Sequence, residues 1–398
     1  MNRYIVSCLG SRERYGIPVA LYKSGMLDSF HTDIYVPQII SHISKNVSLP
    51  SSFKALLQRN NPELPFQYVD QQFLLGLEFR RRVRRAKSLK ERQDLLAHYG
   101  AIFAKKVGAS INGEKNLIAF TGAALESFLR VKDLGGKAIL DQVDPGLLEW
   151  ERIKNERDMY PGWEIGQDDP PWSYDFEDRV WRELELADEV IVNSQYSKKS
   201  LEFWGSKQSI KVVPIASSVQ RMKKQNINIR RPLRVLFFGA LCLRKGVHYA
   251  LEAFQILKQK GVEIEMKMAG ELYISTEKLR CYSGVTYLGT VASSEVPALF
   301  DNTDVMIFPT LSDGFGMVQV ESMSRGVPVI SSSFCAEIVS HNENGFVLDE
   351  VTAEGIAYFI ERYSDDRKLL EVHSSAAFDA SEKYSVQNYQ GLIRELFD

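Results

Sequence analysis

The chain has 398 residues, with 44% apolar and 25% charged side chains, an ordinary balance for a globular protein with roughly two or three domains. A net charge of −2 offers no global attraction for nucleic acid, so no nucleic-acid partner is expected. The four cysteines and six histidines are scattered without metal-type spacing, so buried free thiols are expected and neither a metal site nor a disulfide framework is.

Tyr4–Leu9 reads as a strand. With Gly10 it is too short for a signal-peptide core and is followed by Ser11-Arg12-Glu13-Arg14, so a cytoplasmic location is expected. No apolar run reaches the length of a transmembrane helix. Ile17–Ser24 reads as a helix, Asp33–Val36 as a strand, and about 52–110 as a helical region. Within it, residues 80–90 carry seven basic side chains and no acid: Arg80, Arg81, Arg82, Arg84, Arg85, Lys87 and Lys90. With Phe73, Leu74, Leu77 and Val83 as apolar complement, this stretch suits an anionic membrane surface or a lipid-diphosphate acceptor, which would make the protein peripheral at the inner face of the membrane. A solvated helix face is the other reading. Strands follow at Leu117–Phe120, Ala138–Gln142 and Val190–Asn193, with helical stretches between them, and Lys211–Ile215 closes this half. Strands alternating with helices predict a parallel sheet covered on both faces.

Residues 216–232 are polar and basic, lack periodicity and read as a linker. A second alternation follows: strand Val235–Phe238, helix Val247–Lys260, strands Ile264–Met268 and Thr286–Leu288. In the helix, Val247, Ala250, Leu251, Phe254 and Leu257 recur at helical spacing. The expected organisation is α/β, with two Rossmann-like domains of parallel strands facing a cleft. The first covers residues 1–215, joined by a C-terminal helix over about 384–398, and the second covers 233–383.

Residues 309–330 carry the densest chemical signal. A buried strand (Val305–Phe308) runs into a loop holding Gly314 and Gly316, then a short helix, then past Gly326 to another apolar strand. Glycines let a ligand approach the backbone, and the unpaired N–H groups of a first helical turn suit a phosphate. Asp313 and Glu321, eight positions apart, offer carboxylates to hydroxyl pairs. Phosphate and hydroxyl recognition together point to a nucleotide sugar.

The segment resembles the signature of the retaining glycosyltransferases of family 4, in which two glutamates separated by seven residues flank a Gly-Phe-Gly turn. Glu321 matches the second glutamate, and Asp313 replaces the first. Phe237-Phe238-Gly239-Ala240-Leu241 with Lys245-Gly246, the Val285–Val291 turn and Asn344-Gly345-Phe346 resemble the family's other motifs in order. The likeness is specific over about residues 233–350. It implies the GT-B architecture, retention at the anomeric carbon, no required metal or cofactor, and a nucleotide diphosphate sugar donor.

Residue by residue, the resemblance places Glu321 on the ribose and the backbone of Gly316, Met317 and Val318 on the phosphates. Gly314 belongs to the same turn, and Asp313 and Phe315 would face the transferred sugar. Leu288, Thr290 and Val291 would hold the base, and Gly239 with Lys245 and Arg244 the leaving diphosphate, where positive charge is needed as the bond breaks. Ala240 stands where the family has an arginine, a loss that Arg244 is placed to offset. Gly10, after the first strand, either admits the donor phosphate from across the cleft or is a plain turn. The family's histidine after a central strand is absent. Asp141 or Gln142 is expected to orient the sugar or the acceptor hydroxyl in its place, and Asp144 reads equally as a turn residue. Arg12, Arg14 and Tyr15 are acceptor-side candidates. Trp163 and Trp172 suit stacking on a sugar acceptor, or a tucked loop. The function expected is transfer of a sugar, from a UDP-sugar ahead of a GDP-sugar, to a glycan or lipid-linked hydroxyl acceptor in cell-surface polysaccharide or glycolipid synthesis. The alternatives are a sugar-nucleotide epimerase on the same fold and a noncatalytic nucleotide-sugar-binding subunit.

Overall fold

The computed structural model describes residues 3–37, 56–57, 59–86, 88–165, 172–217, 219, 221–223 and 232–397. Lys87 of the basic run and much of the 216–232 linker lie outside the described residues. In the first domain β1 (Tyr4–Cys8), β2 (Leu27–Thr32), β3 (Val69–Gln71), β4 (Asn116–Phe120), β5 (Ala138–Gln142), β6 (Glu189–Val192) and β7 (Ser209–Val212) form one parallel sheet in the order β3-β2-β1-β4-β5-β6-β7. β4, β5 and β6 are apolar on both faces, as strands covered on both sides must be. Val6, Ile118 and Ile139 face a core shared with helices Gly16–Lys23 and Val386–Phe397. Ile5, Leu117 and Leu140 face the opposite core, under helices Leu89–Ser110 and Leu125–Asp133.

The second sheet holds β8 (Leu233–Phe238), β9 (Ile264–Ala269), β10 (Val285–Tyr287), β11 (Val305–Phe308), β12 (Val329–Ser332) and β13 (Gly345–Leu348), again all parallel, in the order β10-β9-β8-β11-β12-β13. Helices Val247–Gln259 and Ala353–Asp365 cover one face through Leu251, Phe254, Ile356 and Ile360. Strand order reverses between β1 and β4 and between β8 and β11. Open parallel sheets bind ligands beyond the carboxyl ends of their strands at such reversals. Gly10, Gly239 and the 309–316 loop all leave strands at these two points. Among the described residues no helix is long and apolar enough to cross a membrane.

Three local expectations shift. The second strand is Leu27–Thr32, because Asp33–Val36 is buried but bonded to side chains. Gly10 N–H donates to Asp33 Oδ1 at 3.0 Å, Arg59 pairs with the same carboxylate, and Tyr35 N–H donates to Gln71 Oε1 at 2.9 Å. Within the expected helical region, Val69–Gln71 is an edge strand beside β2. The strand expected at Lys211–Ile215 lies at Ser209–Val212, paired to β6.

After helix Leu147–Met159 the chain crosses to the second domain. Glu156 and His248 meet at 2.6 Å, both buried. Of the two readings of Trp163, acceptor stacking and a tucked loop, the structure shows the second: the side chain is 7% exposed inside the second domain's core. Its carbonyl accepts from Ser275 N–H at 2.7 Å, and Ile165 N–H donates to the Tyr273 carbonyl at 3.0 Å. Trp163→Ala should therefore cost about 3–5 kcal/mol of stability, the range for truncating a large buried aromatic. An unchanged urea midpoint would show that this crossing segment is not part of the core.

Candidate active site

The site grows from the ends of β8 and β11. A tight turn, Leu243–Lys245, follows β8 and closes at Gly246, whose φ is +68°. A Cβ there would lie 2.0 Å from the Pro309 carbonyl oxygen, so only glycine lets the turn sit against the end of β11. That contact brings the side chains of Arg244 and Lys245 to the 311–314 loop. The Lys245 ammonium pairs with the Asp313 carboxylate and stands 5.0 Å from the Phe308 ring centre. Arg244 Nη1 donates to the Ser312 carbonyl at 3.0 Å and lies 3.5 Å from Glu149 Oε2 of the first domain. Asp313 Oδ1 accepts from Phe315 N–H at 3.3 Å.

Electrostatics follow from this geometry. Burial would raise the Asp313 carboxyl, but the Lys245 and Arg244 charges hold it below its ordinary value. Burial opposes the charge of Arg244, yet Glu149 and Asp313 raise it above the usual guanidinium range. Burial pushes Glu149 from 4.5 up to about 7, against the pull of Arg244. Phe238, Gly239, Lys245, Phe308, Asp313, Gly316, Met317 and Val318 line a cavity of about 300 Å³. The sequence-predicted phosphate residues thus share one recess. Gly316 starts helix Met317–Met323 with a φ of +78°.

Other expected residues are placed differently. The Phe315 ring turns into the core and meets Tyr384 edge-on at 5.8 Å, so it does not face a sugar. Glu321 is half-buried on the helix; burial raises its carboxyl and Arg14 of the first domain opposes that rise. Leu288 and Thr290 are exposed and Val291 half-buried just past the edge strand β10, and Gly289 accepts from Gly270 N–H at 2.8 Å. The backbone of Gly10 is open at its Cα.

On the acceptor side, Glu13, Arg14 and Tyr15 are three consecutive left-handed residues, with φ of 50°, 49° and 65°. Such strain persists only where the surroundings enforce it. Here Tyr389 of the last helix donates from its hydroxyl to Glu13 Oε2 at 2.8 Å. Arg12 is half-buried and Arg14 exposed, but Tyr15 is buried with its hydroxyl on the Ile34 carbonyl at 3.3 Å, which removes it from the acceptor candidates. Asp141 is only 3% exposed, and burial raises its carboxyl well above the ordinary range, with Glu13 adding to the rise. It does not open onto the cleft in this conformation. Gln142 is buried too, and its Nε2 donates to Asp144 Oδ1 at 2.9 Å. Asp144 Oδ1 also accepts from Gly146 N–H at 2.9 Å, which makes Asp144 a turn residue. Trp172 stacks on Trp150 at 6.2 Å and donates from Nε1 to Glu177 Oε2 at 3.0 Å.

The loop that carries Asp313 is also gripped by residues no local motif marks. A Cβ on Gly314 would lie 2.3 Å from the Val143 carbonyl oxygen. Ser194 Oγ donates to the Gly314 carbonyl, Tyr196 and Ser312 share a hydroxyl contact at 3.0 Å, and Arg152 Nη1 donates to the Leu311 carbonyl at 3.1 Å. Their only hint in sequence is that Ser194 and Tyr196 follow the end of a strand. Among the described residues no group of three His, Cys, Asp or Glu side chains could hold a metal ion.

Residues 219–379 match the family model described as glycosyl transferases group 1. An uncharacterized glycosyltransferase of Methanocaldococcus jannaschii is 30% identical over 181 residues, 42% of this chain and 46% of the relative. The capsular polysaccharide biosynthesis glycosyltransferase CapM of Staphylococcus aureus is 28% identical over 144 residues, 34% of this chain and 37% of the relative. The chain spans about half the length, or less, of the curated relatives it matches. The crystal structure of Anabaena HepE in complex with UDP is similar with a TM-score of 0.63 at 19% identity, covering 99% of both chains. That likeness establishes the GT-B fold.

Glu149 gives this site a pH signature. A carboxyl raised from 4.5 to about 7 stays protonated in the folded state while the unfolded chain ionises. Its contribution is therefore complete below pH 4.5 and is lost as pH rises to about 7. Relative to Glu149→Gln, the wild type should lose up to about 3 kcal/mol of stability across that window. Urea unfolding of both proteins at several pH values checks this, and parallel curves would refute it.

Proposed function

We propose that the chain is a glycosyltransferase that moves a sugar from a nucleoside diphosphate sugar to a hydroxyl acceptor. The observation that carries this reading is the convergence of Lys245, Asp313, Gly239 and the Gly316–Val318 backbone on one recess at the strand-order reversal. The Lys245 ammonium is paired with the Asp313 carboxylate at the recess. A bound diphosphate would take over the ammonium, and Asp313 would then be released to accept a hydroxyl of the transferred sugar. Charge growing on the departing phosphate oxygen is met by Lys245, with Arg244 behind it. Glu321 would take the ribose hydroxyls. Retention at the anomeric carbon and independence from metal are part of the proposal and rest on the motif resemblance.

Uridine is favoured as the base because HepE, which shares the fold, was crystallised with UDP. An acceptor in cell-surface polysaccharide or glycolipid is favoured because CapM is named for capsular polysaccharide biosynthesis. The expected assay result is slow acceptor-independent hydrolysis of a UDP-sugar. Lys245→Ala should lower turnover far more than donor affinity. Normal turnover with only a raised KM would reduce Lys245 to a binding residue. A rearranged sugar nucleotide would support the epimerase, and binding without turnover the noncatalytic subunit.

The acceptor is also proposed to be presented at an anionic membrane surface. Helix Phe73–Val83 exposes Phe73, Leu77 and, at 80% exposure, Leu74. Arg81, Arg82, Arg84 and Arg85 are exposed beside them. Apolar side chains next to basic ones suit anionic headgroups better than open water does. Liposome sedimentation should need acidic lipid, fall with salt, and vanish when these four arginines become Gln. Equal sedimentation with neutral and acidic liposomes would leave the helix as a solvated face.

A further inference from the structure

A sizeable cavity lies outside the donor recess. It has a volume of about 510 Å³ and is lined by Leu147, Tyr174, Glu177, Asp178, Trp181 and Trp204 of the first domain. A second recess of about 20 Å³ opens between Trp181, Trp204, Leu147 and Gln142, at the carboxyl end of β5. We infer that this groove is a seat for an uncharged glycan chain, with one sugar hydroxyl held in the inner recess.

Three features determine the ligand class. The groove is walled by two indoles and a phenol, with Tyr174 mostly exposed. Aromatic faces carry partial negative charge, which matches the polarised C–H faces of pyranose rings. The described charged groups lining the groove are the carboxylates of Glu177 and Asp178. Carboxylates accept from hydroxyls and repel phosphate, sulfate and uronate, so the occupant is not an anion. Arg182 lies 3.7 Å from Asp178 on the same exposed helix face, too exposed to reverse that sign.

The inner recess supplies the third feature. Trp204 Nε1 is buried with no acceptor, and Gln142 Oε1 is buried with no donor, among the described residues. Both side chains line the same recess, whose volume is that of a single hydroxyl or water. A hydroxyl accepts from an indole N–H and donates to an amide oxygen at once, so one sugar hydroxyl satisfies both orphans. Gln142 also bonds to Asp144, one residue from the Val143 carbonyl against which Gly314 packs. The inner recess is thus linked through Gln142 and Asp144 to the segment that packs against the loop carrying Asp313. Its identity as the place where the acceptor chain lies rests on the glycosyltransferase reading; the seat for a neutral glycan does not.

The test is titration of the full chain, with its tryptophan indoles labelled with 15N, by neutral tetrasaccharides of glucose and of N-acetylglucosamine. A tetrasaccharide of galacturonate serves as the anionic control. A neutral glycan should shift the Trp204 indole resonance, and the uronate should not. Trp204→Phe, which keeps a ring and removes the N–H, and Tyr174→Ala, at an exposed position, should each weaken binding roughly tenfold without lowering the melting temperature. No shift with either neutral glycan would mean the recess holds only water and would overturn the proposal. A shift with the uronate alone, or unweakened binding by both variants, would overturn it as well. UDP-sugar hydrolysis measured on the same samples separates the two ideas. Glycan binding without hydrolysis would sink the transferase reading and keep the seat, whereas hydrolysis without glycan binding would do the reverse.

Discussion

The cleft depends on how one loop, Leu311–Gly314, is held. From its own domain Arg244 grips the Ser312 carbonyl, its N–H at Leu311 donates to the Arg244 carbonyl, and Lys245 pairs with Asp313. From the other domain Arg152 and Ser194 hold the carbonyls of Leu311 and Gly314, while Tyr196 meets Ser312. A loop bonded on both sides cannot move with either domain alone. Its position is therefore a joint property of the two sheets, and the spacing between donor recess and acceptor wall is set there.

The Lys245–Asp313 pair has a particular consequence within that frame. Both side chains are largely buried, and removing either partner would leave an uncompensated charge in a poorly solvated place. On the proposed reading a phosphate entering the recess would replace Asp313 as partner of the ammonium, and the Asp313 carboxylate, still near Arg244, would need a sugar hydroxyl as its new partner. Lys245 is already desolvated and held at the recess, which on the proposed reading lowers the reorganisation left for a bound diphosphate. An aspartate keeps this contact with Lys245 while also accepting the Phe315 N–H, so the shorter side chain does not leave the position idle.

Much of the fold was legible because parallel strands buried on both faces must be apolar throughout. β4, β8 and β11 announced themselves that way, whereas β9 carries Glu265 and Lys267 among its apolar residues. β3 did not, because a three-residue edge strand needs only one partner and carries Asp70 in its middle. That Gly239, Lys245 and Gly316–Val318 lie together at one recess was readable, since their spacing reflects local backbone geometry. The acceptor wall was not. Phe315 and Tyr15 lie next to motif residues, yet their rings serve the core, and a single chain position does not reveal which way a ring turns. Trp163 stayed ambiguous for a related reason: its burial is in a domain whose strands begin about seventy residues further on. Glu149, Arg152 and Ser194 act through contacts of long sequence separation, which leave no pattern in the local sequence.

The two domains also exchange segments in both directions. The first sends Tyr160–Ile165 into the second, where Trp163 joins the core and Glu164 Oε1 accepts from Leu243 N–H at 2.8 Å, at the start of the Arg244–Lys245 turn. The chain returns through helix Val386–Phe397, whose Tyr389 enforces the left-handed turn at Glu13–Tyr15 and whose Phe397 packs on Tyr4. Each segment therefore stabilises a loop at the mouth of the domain it visits. The result is a division of charge. Carboxyls of Glu13, Asp141 and Glu149 gather on the first domain, and Arg244 with Lys245 on the second. Burial raises Asp141 well above its ordinary range and Glu13 and Glu149 to about 7, so that wall is largely uncharged near neutral pH, while an anion is drawn to Arg244 and Lys245 on the other. Orientation of the reactants across the cleft follows from that asymmetry, and the reciprocal segments keep the two walls at the distance where it acts.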